Sequence, residues 1–190
     1  YRVGFGELGR IEIGPQLVTL FGGPPGAGKT AFTMQAIVDA LRLNPELRAV
    51  VFDRPEVLKV AAEMAAEYGV TDRVQLSPGD MFVDPLPTGC DLVLLSNILH
   101  DWDLPECRML VRRAATALRP GGKLWIHDVF LNDALDGPLP IALYSAALFT
   151  LTEGRAYSRA EYRAMLADAG LTPGAHTPTA IHCGVLEGIK

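Results

Sequence analysis

Gln16-Leu17-Val18-Thr19-Leu20-Phe21, leading into Gly23-Pro24-Pro25-Gly26-Ala27-Gly28-Lys29-Thr30, is the stretch from which the fold can be read. The first six residues form a short apolar run entering a Gly/Pro turn, as expected of a strand covered on both faces of a parallel sheet. From Lys29 onward, Phe32, Ile37, Val38 and Leu41 recur on one helical face until Asn44-Pro45 stops the helix. The turn between them matches G-x-x-x-x-G-K-[ST], a loop whose backbone N–H groups surround phosphates. Glycines there permit close backbone approach, and the helix N-terminus offers unpaired N–H groups and a positive dipole. Lys29 would bridge β- and γ-phosphates and Thr30 would hold Mg²⁺. The loop Gly23–Thr30 is thus expected to take phosphate or ATP–Mg²⁺.

Outward from that unit, strands and helices alternate. Ala49–Phe52 is a second strand ending in Asp53, and Pro55 opens a helix to about Tyr68. Val74–Leu76 and Asp91–Leu95 are further strands. A helix over about Pro105–Leu118 ends at Pro120-Gly121-Gly122 and leads into a strand over Lys123–Val129. Leu139–Leu151 is an apolar helical stretch, and Ser158-Arg159-Ala160-Glu161 is a capping box opening a helix that ends at Gly170. Two last runs, Leu171–Thr177 and Ala180–Glu187, form a hairpin. The pattern predicts one domain over 1–190, a Rossmann-like, doubly wound α/β fold in three αβα layers. Its sheet is mostly parallel, with an antiparallel C-terminal hairpin. Ligands of such sheets sit at the carboxyl ends of the strands, where Asp53, Gly79-Asp80, His100 and Asp128 fall.

Composition bounds the rest. A formal charge of −5 with no Lys/Arg cluster argues against nucleic acid, and no apolar run is long enough for a membrane span. Cys90, Cys107 and Cys183 have neither zinc nor disulfide spacing, so free thiols in a cytoplasmic setting are expected.

Two resemblances follow from the motifs. Gly4-Phe5-Gly6-Glu7-Leu8, Gly14–Leu20 and the Lys29 loop resemble the start of a RecA-like ATPase core over residues 1–50. Five ordered pieces from Phe52 onward resemble small-molecule O-methyltransferases that use S-adenosylmethionine. They are Phe52–Val57, Pro78–Phe82, Leu99-His100-Asp101-Trp102, Leu118–Lys123 and Ser158–Gly170. That resemblance implies that Asp53 accepts hydrogen bonds from ribose hydroxyls, that Asp80 and Met81 line the adenine pocket, and that His100 is the general base. Asp128 would orient His100, while a second orienting acid of the family is replaced by Ala156. An imidazole titrating near neutrality suits removal of a phenolic proton.

Joined together, these halves read as an engineered chimera, with residues 1–50 from a P-loop ATPase, 51–190 from a methyltransferase, and the junction between Leu43 and Val51. The expected function is phosphate or nucleotide binding by a monomer with little turnover, His100 and Asp128 being inherited and idle. Lys29→Ala would then weaken ATP binding. The alternative is a methyltransferase domain that retains S-adenosylmethionine.

Overall fold

The β-strand Cys90–Ser96 shows how the sheet is held: Leu92 and Leu94 point to one side, Val93 and Leu95 to the other, and all four are buried. On the first side they join Met34, Ile37, Val38 and Leu41, and on the second Leu110, Val111 and Ala114. Each such side chain contributes roughly 1.5–3 kcal/mol relative to exposure, so the central strands hold the binding rim in place from both faces. The structure, a computed structural model, describes residues 16–20, 29–179 and 182–190.

The elements run β1 (Gln16–Leu20), α1 (Lys29–Leu43), β2 (Arg48–Asp53), α2 (Pro55–Glu67), β3 (Val74–Pro78) and β4 (Cys90–Ser96). A short 3-10 turn (Leu99–Asp101) follows, then α3 (Leu104–Ala117), β5 (Leu118–Leu131), α4 (Leu139–Leu151) and β6 (Tyr157–Ser158). The chain closes with α5 (Arg159–Asp168), β7 (Thr172–Pro178) and β8 (Cys183–Ile189). The sheet order is β3-β2-β1-β4-β5-β8-β7, with β6 paired to β5 outside that path. β1 is flanked by β2 and β4, and β7 and β8 form the antiparallel edge. Among the described residues, no helix is long and apolar enough to cross a membrane.

One element departs from expectation. Pro120-Gly121-Gly122 does not separate α3 from β5, which begins at Leu118 with a register shift opposite Cys90 and Leu92. The cause lies far along the chain: Gly121 N–H donates to the Lys190 carbonyl (2.9 Å) and Lys190 N–H donates to that of Gly122 (3.0 Å). The Lys190 ammonium also donates to the Ala115 and Leu118 carbonyls (2.8 and 2.7 Å), closing the carboxyl end of α3 with a cation.

The capping box of α5 is present. Ser158 Oγ accepts from Glu161 N–H (3.2 Å) and Glu161 Oε2 accepts from Ser158 N–H (2.8 Å). Burial pushes the Glu161 carboxyl up, but the Arg155 guanidinium and the Ser158 N–H outweigh it and hold it below its usual range. Ser158→Ala is expected to cost about 1–2 kcal/mol, read as a lower urea midpoint at unchanged slope. An unchanged midpoint would mean that the cap adds nothing.

Candidate active site

Parallel register sets the rim. Leu20 pairs with both Phe52 and Leu95, Asp53 with Pro78, and Ser96 with His127. Asp53, the turn after β3, the turn after β4 and Asp128 therefore lie along one carboxyl edge. Asp91 lies at the other end of β4, where its carboxylate pairs with Arg119.

The turn after β4 delivers His100. Asn97 adopts φ 54° and its N–H donates to the His127 carbonyl (2.8 Å), turning the chain off the sheet. Buried Ile98 and Leu99 pin the turn from beneath, and the Cys107 thiol donates to the Leu99 carbonyl (3.0 Å). Gly154, in the segment after α4, lies against this turn so closely that a Cβ there would collide with the His100 carbonyl and the Trp102 nitrogen. Gly154→Ala is expected to displace the His100 turn at a cost of about 1–3 kcal/mol. Unchanged denaturation and an unchanged turn in the variant's structure would contradict that.

His100 is buried, with Nδ1 2.5 Å from Asp128 Oδ1. Alternation along β5 turns Trp125 to the α1/α2 side and Ile126 to the α3/α5 side, so Asp128 shares the side of Ile126. Asp128 Oδ1 also accepts from Val129 N–H (2.8 Å) and its Oδ2 from the Tyr162 hydroxyl (3.1 Å). Burial pushes the Asp128 carboxyl up, but the neighbouring His100 ring and the Val129 N–H hold it below the usual range. An ionised Asp128 places the His100 proton on Nδ1 and leaves Nε2 as the basic nitrogen. Nε2 faces the Tyr144 hydroxyl at 3.3 Å and Asp101 Oδ1 at 3.6 Å. Burial raises the Tyr144 phenol to about 12, so it meets His100 as a donor.

Asp53 ends β2 almost fully buried, its Oδ1 accepting from Arg54 N–H (2.7 Å). Burial pushes its carboxyl up to about 6 against the opposing Arg54 N–H and charge. Gly79 N–H donates to the Asp53 carbonyl (3.0 Å), and a Cβ on Gly79 would lie 2.5 Å from the Phe52 ring. Those contacts hold the turn after β3 beside Asp53. Met81 there is buried in the core that contains Phe52. Asp80 is exposed, its Oδ1 accepting from Phe82 N–H (2.8 Å) and its N–H donating to Asp84 Oδ2 (2.8 Å). Trp102 packs edge-on to Phe82, with centroids 4.6 Å apart. Gly23, Pro24, Pro25, Gly26, Ala27 and Gly28 lie outside the described residues, as do the side chains of Lys29 and Thr30, which start α1.

The sequence reading missed Tyr144, Gly154 and Tyr162. The one trace of Tyr162 was a hydroxyl on the apolar face of α5 beside Met165 and Leu166. Ala156, where the second acid was expected, is fully buried among Val129, Leu131 and Ile141.

A family model for the O-methyltransferase domain matches residues 16–172. The chain belongs to this family. It is 37% identical over 174 residues to 3-hydroxy-5-methyl-1-naphthoate 3-O-methyltransferase of Streptomyces sahachiroi, covering 87% of this chain and 47% of that protein. It is 36% identical over 166 residues to acetylserotonin O-methyltransferase of Bos taurus, covering 86% and 45%. An O-methyltransferase family 2 protein from Planctomyces limnophilus, solved with apigenin, superposes at TM-score 0.84 and 49% identity, over 94% of this chain and 51% of that one. Human N-acetylserotonin methyltransferase, solved with S-adenosylmethionine, superposes at TM-score 0.77 and 27% identity, over 93% and 47%. The chain thus spans about half the length of these relatives.

These matches overturn the P-loop chimera. Residues 51–190 are 140 of the chain's 190, or about 74%, yet the match to the naphthoate enzyme covers 87% of the chain. The O-methyltransferase match runs through the loop Gly23–Thr30 and the supposed junction at Leu43–Val51 without interruption. Neither a RecA-like front nor a site for ATP–Mg²⁺ or phosphate has support. The physical reason is that strand, glycine loop and helix serve many ligands, and eight residues of matching spacing do not specify which.

Proposed function

We propose that this chain is the cofactor-binding and catalytic portion of an S-adenosylmethionine-dependent O-methyltransferase acting on the phenolic hydroxyl of a small aromatic acceptor. The observation that carries it is the buried His100–Asp128 pair, whose outer nitrogen already faces a phenol, that of Tyr144, at 3.3 Å. The chemistry supplied by S-adenosylmethionine, when bound, is an activated methyl group. The chain's donor set suits that molecule: a desolvated carboxylate at Asp53 for ribose hydroxyls, and the buried Met81 beside it. The family resemblance supports Asp80 as a further contact of the adenine. In this reading the glycines between β1 and α1 serve the cofactor rather than phosphate.

His100 Nε2 accepts the acceptor's hydroxyl proton as the oxygen becomes nucleophilic, and Asp128 stabilises the imidazolium that forms. Holding the acceptor oxygen in line is the larger contribution, worth up to about 7–11 kcal/mol of barrier in well-oriented systems. Tyr144 stands where that oxygen must come and so has to yield to the acceptor. The proposal is tested by incubating the protein with methyl-labelled S-adenosylmethionine and a panel of phenols. Label on the phenol oxygen is expected; no transfer to any phenol, or label on carbon instead, contradicts the proposal.

A further inference from the structure

We infer that Tyr162 is a positioning residue that supplies the second support of the His100–Asp128 pair, the role left open by Ala156. The assignment takes its purpose from the methyl-transfer reading above, although its test does not need that reaction.

Asp128 has two oxygens and the histidine uses one. If Oδ2 had no donor, the carboxylate could turn about its own axis, and its full basicity would fall on the His100 proton. The Tyr162 hydroxyl meets Oδ2 at 3.1 Å. Its direction is unambiguous, because burial and the adjoining Asp128 charge raise this phenol well above its ordinary range, so it donates. The ring cannot swing away. It lies fully buried, edge-on to Phe130 (5.3 Å) and tilted against Tyr157 (5.5 Å), on a helix fixed by the Ser158–Glu161 cap. Tyr157, which immediately follows Ala156, directs its own hydroxyl away, to the Trp102 carbonyl (2.8 Å). Tyr162 thus reaches the pair from α5 with a neutral donor instead of a second acid.

A donor at Oδ2 lowers the basicity of Asp128 and so moderates its pull on the imidazole proton. The titratable groups around the pair are Asp101 on the His100 turn, Tyr144 on α4, Cys107 on α3, His127 on β5, Tyr157 on β6 and Cys183 on β8. Burial raises both phenols and both thiols, to about 12 for Tyr144 and Cys107, about 11 for Cys183 and higher for Tyr157. Burial also lowers His127, so none of these five gains charge near neutral pH. That leaves Asp101, which no variant below touches.

The test is an NMR titration of the His100 ring in the whole chain. Tyr162→Phe keeps the ring packing and removes the hydroxyl, so the His100 midpoint should rise by about 0.5–1 pH unit. Tyr157→Phe, which removes a neighbouring hydroxyl that does not face Asp128, should leave it in place. Incorporating 3-fluorotyrosine at position 162 adds one small atom to the ring and makes a stronger donor, and should lower the midpoint; this arm decides the matter should Tyr162→Phe fail to fold. Coincident midpoints in all folded variants would overturn the assignment. If the midpoints move as stated but no phenol is methylated, the positioning role stands and the functional reading falls.

Discussion

His100→Ala is expected to slow methyl transfer by roughly 10²–10⁴-fold, the usual contribution of a placed general base. Affinity for S-adenosylmethionine should stay within about a factor of two, because in the proposed function His100 acts on the acceptor's proton. The variant also leaves buried Asp128 short of one partner, at a cost of about 1–3 kcal/mol, although Val129 N–H and the Tyr162 hydroxyl remain on it. Rates must therefore be taken well below the variant's melting temperature and normalised to folded protein. A second arm separates chemistry from folding. The rate deficit of His100→Ala should shrink as the acceptor phenol is made more acidic by electron-withdrawing substituents, since an ionised phenol needs no base. A constant deficit across acceptors would mean that His100 serves only the fold.

Asp53→Asn should have opposite effects on stability and binding. The folded chain holds the Asp53 proton to about pH 6, whereas a free aspartate side chain loses it near 3.8. Between those values the folded state binds more protons than the unfolded one, so stability falls as pH rises through the window and levels off above it. The full gap corresponds to about 2–3 kcal/mol of cost at pH 8. Asparagine removes the charge and can still accept the Arg54 N–H, so the ligand-free variant should melt higher at pH 8 and like wild type below pH 4. Binding moves the other way. In the proposed function Asp53 accepts from the ribose hydroxyls, and losing that carboxylate should weaken S-adenosylmethionine by roughly 10–100-fold. Wild-type affinity should itself decline as pH falls below about 6. Calorimetric melting at the two pH values, with and without cofactor, measures all of this. A variant that melts lower at pH 8 yet binds normally would remove Asp53 from the site.

Much of the fold was legible because its signals are local. The apolar run at Leu139–Leu151, between Pro138 and the Thr152-Glu153-Gly154 turn, coincides with α4, and Ser158 and Glu161 marked the start of α5. The Asp53 and Asp128 positions followed from strand ends. What was not legible depends on contacts distant in sequence. β5 extends through Pro120-Gly121-Gly122 because Lys190 pairs with that turn, and no local rule foresees a partner some 70 residues away. Tyr162 reaches Asp128, and Gly154 touches His100, only once the rim is assembled. The glycine loop failed in the opposite way. Its local signal was strong, but glycines at that spacing suit any ligand that needs close approach to a helix N-terminus, and in the function proposed above the choice of ligand rests with Asp53 and the turn after β3.

The most direct test of that choice is isothermal titration of the protein with S-adenosylhomocysteine and, separately, with ATP–Mg²⁺. Saturable heat is predicted for S-adenosylhomocysteine, greatly weakened in Asp53→Asn and unaffected by Lys29→Ala, with none for ATP–Mg²⁺. Saturable binding of ATP–Mg²⁺ that Lys29→Ala abolishes, with no heat from S-adenosylhomocysteine, would contradict the account.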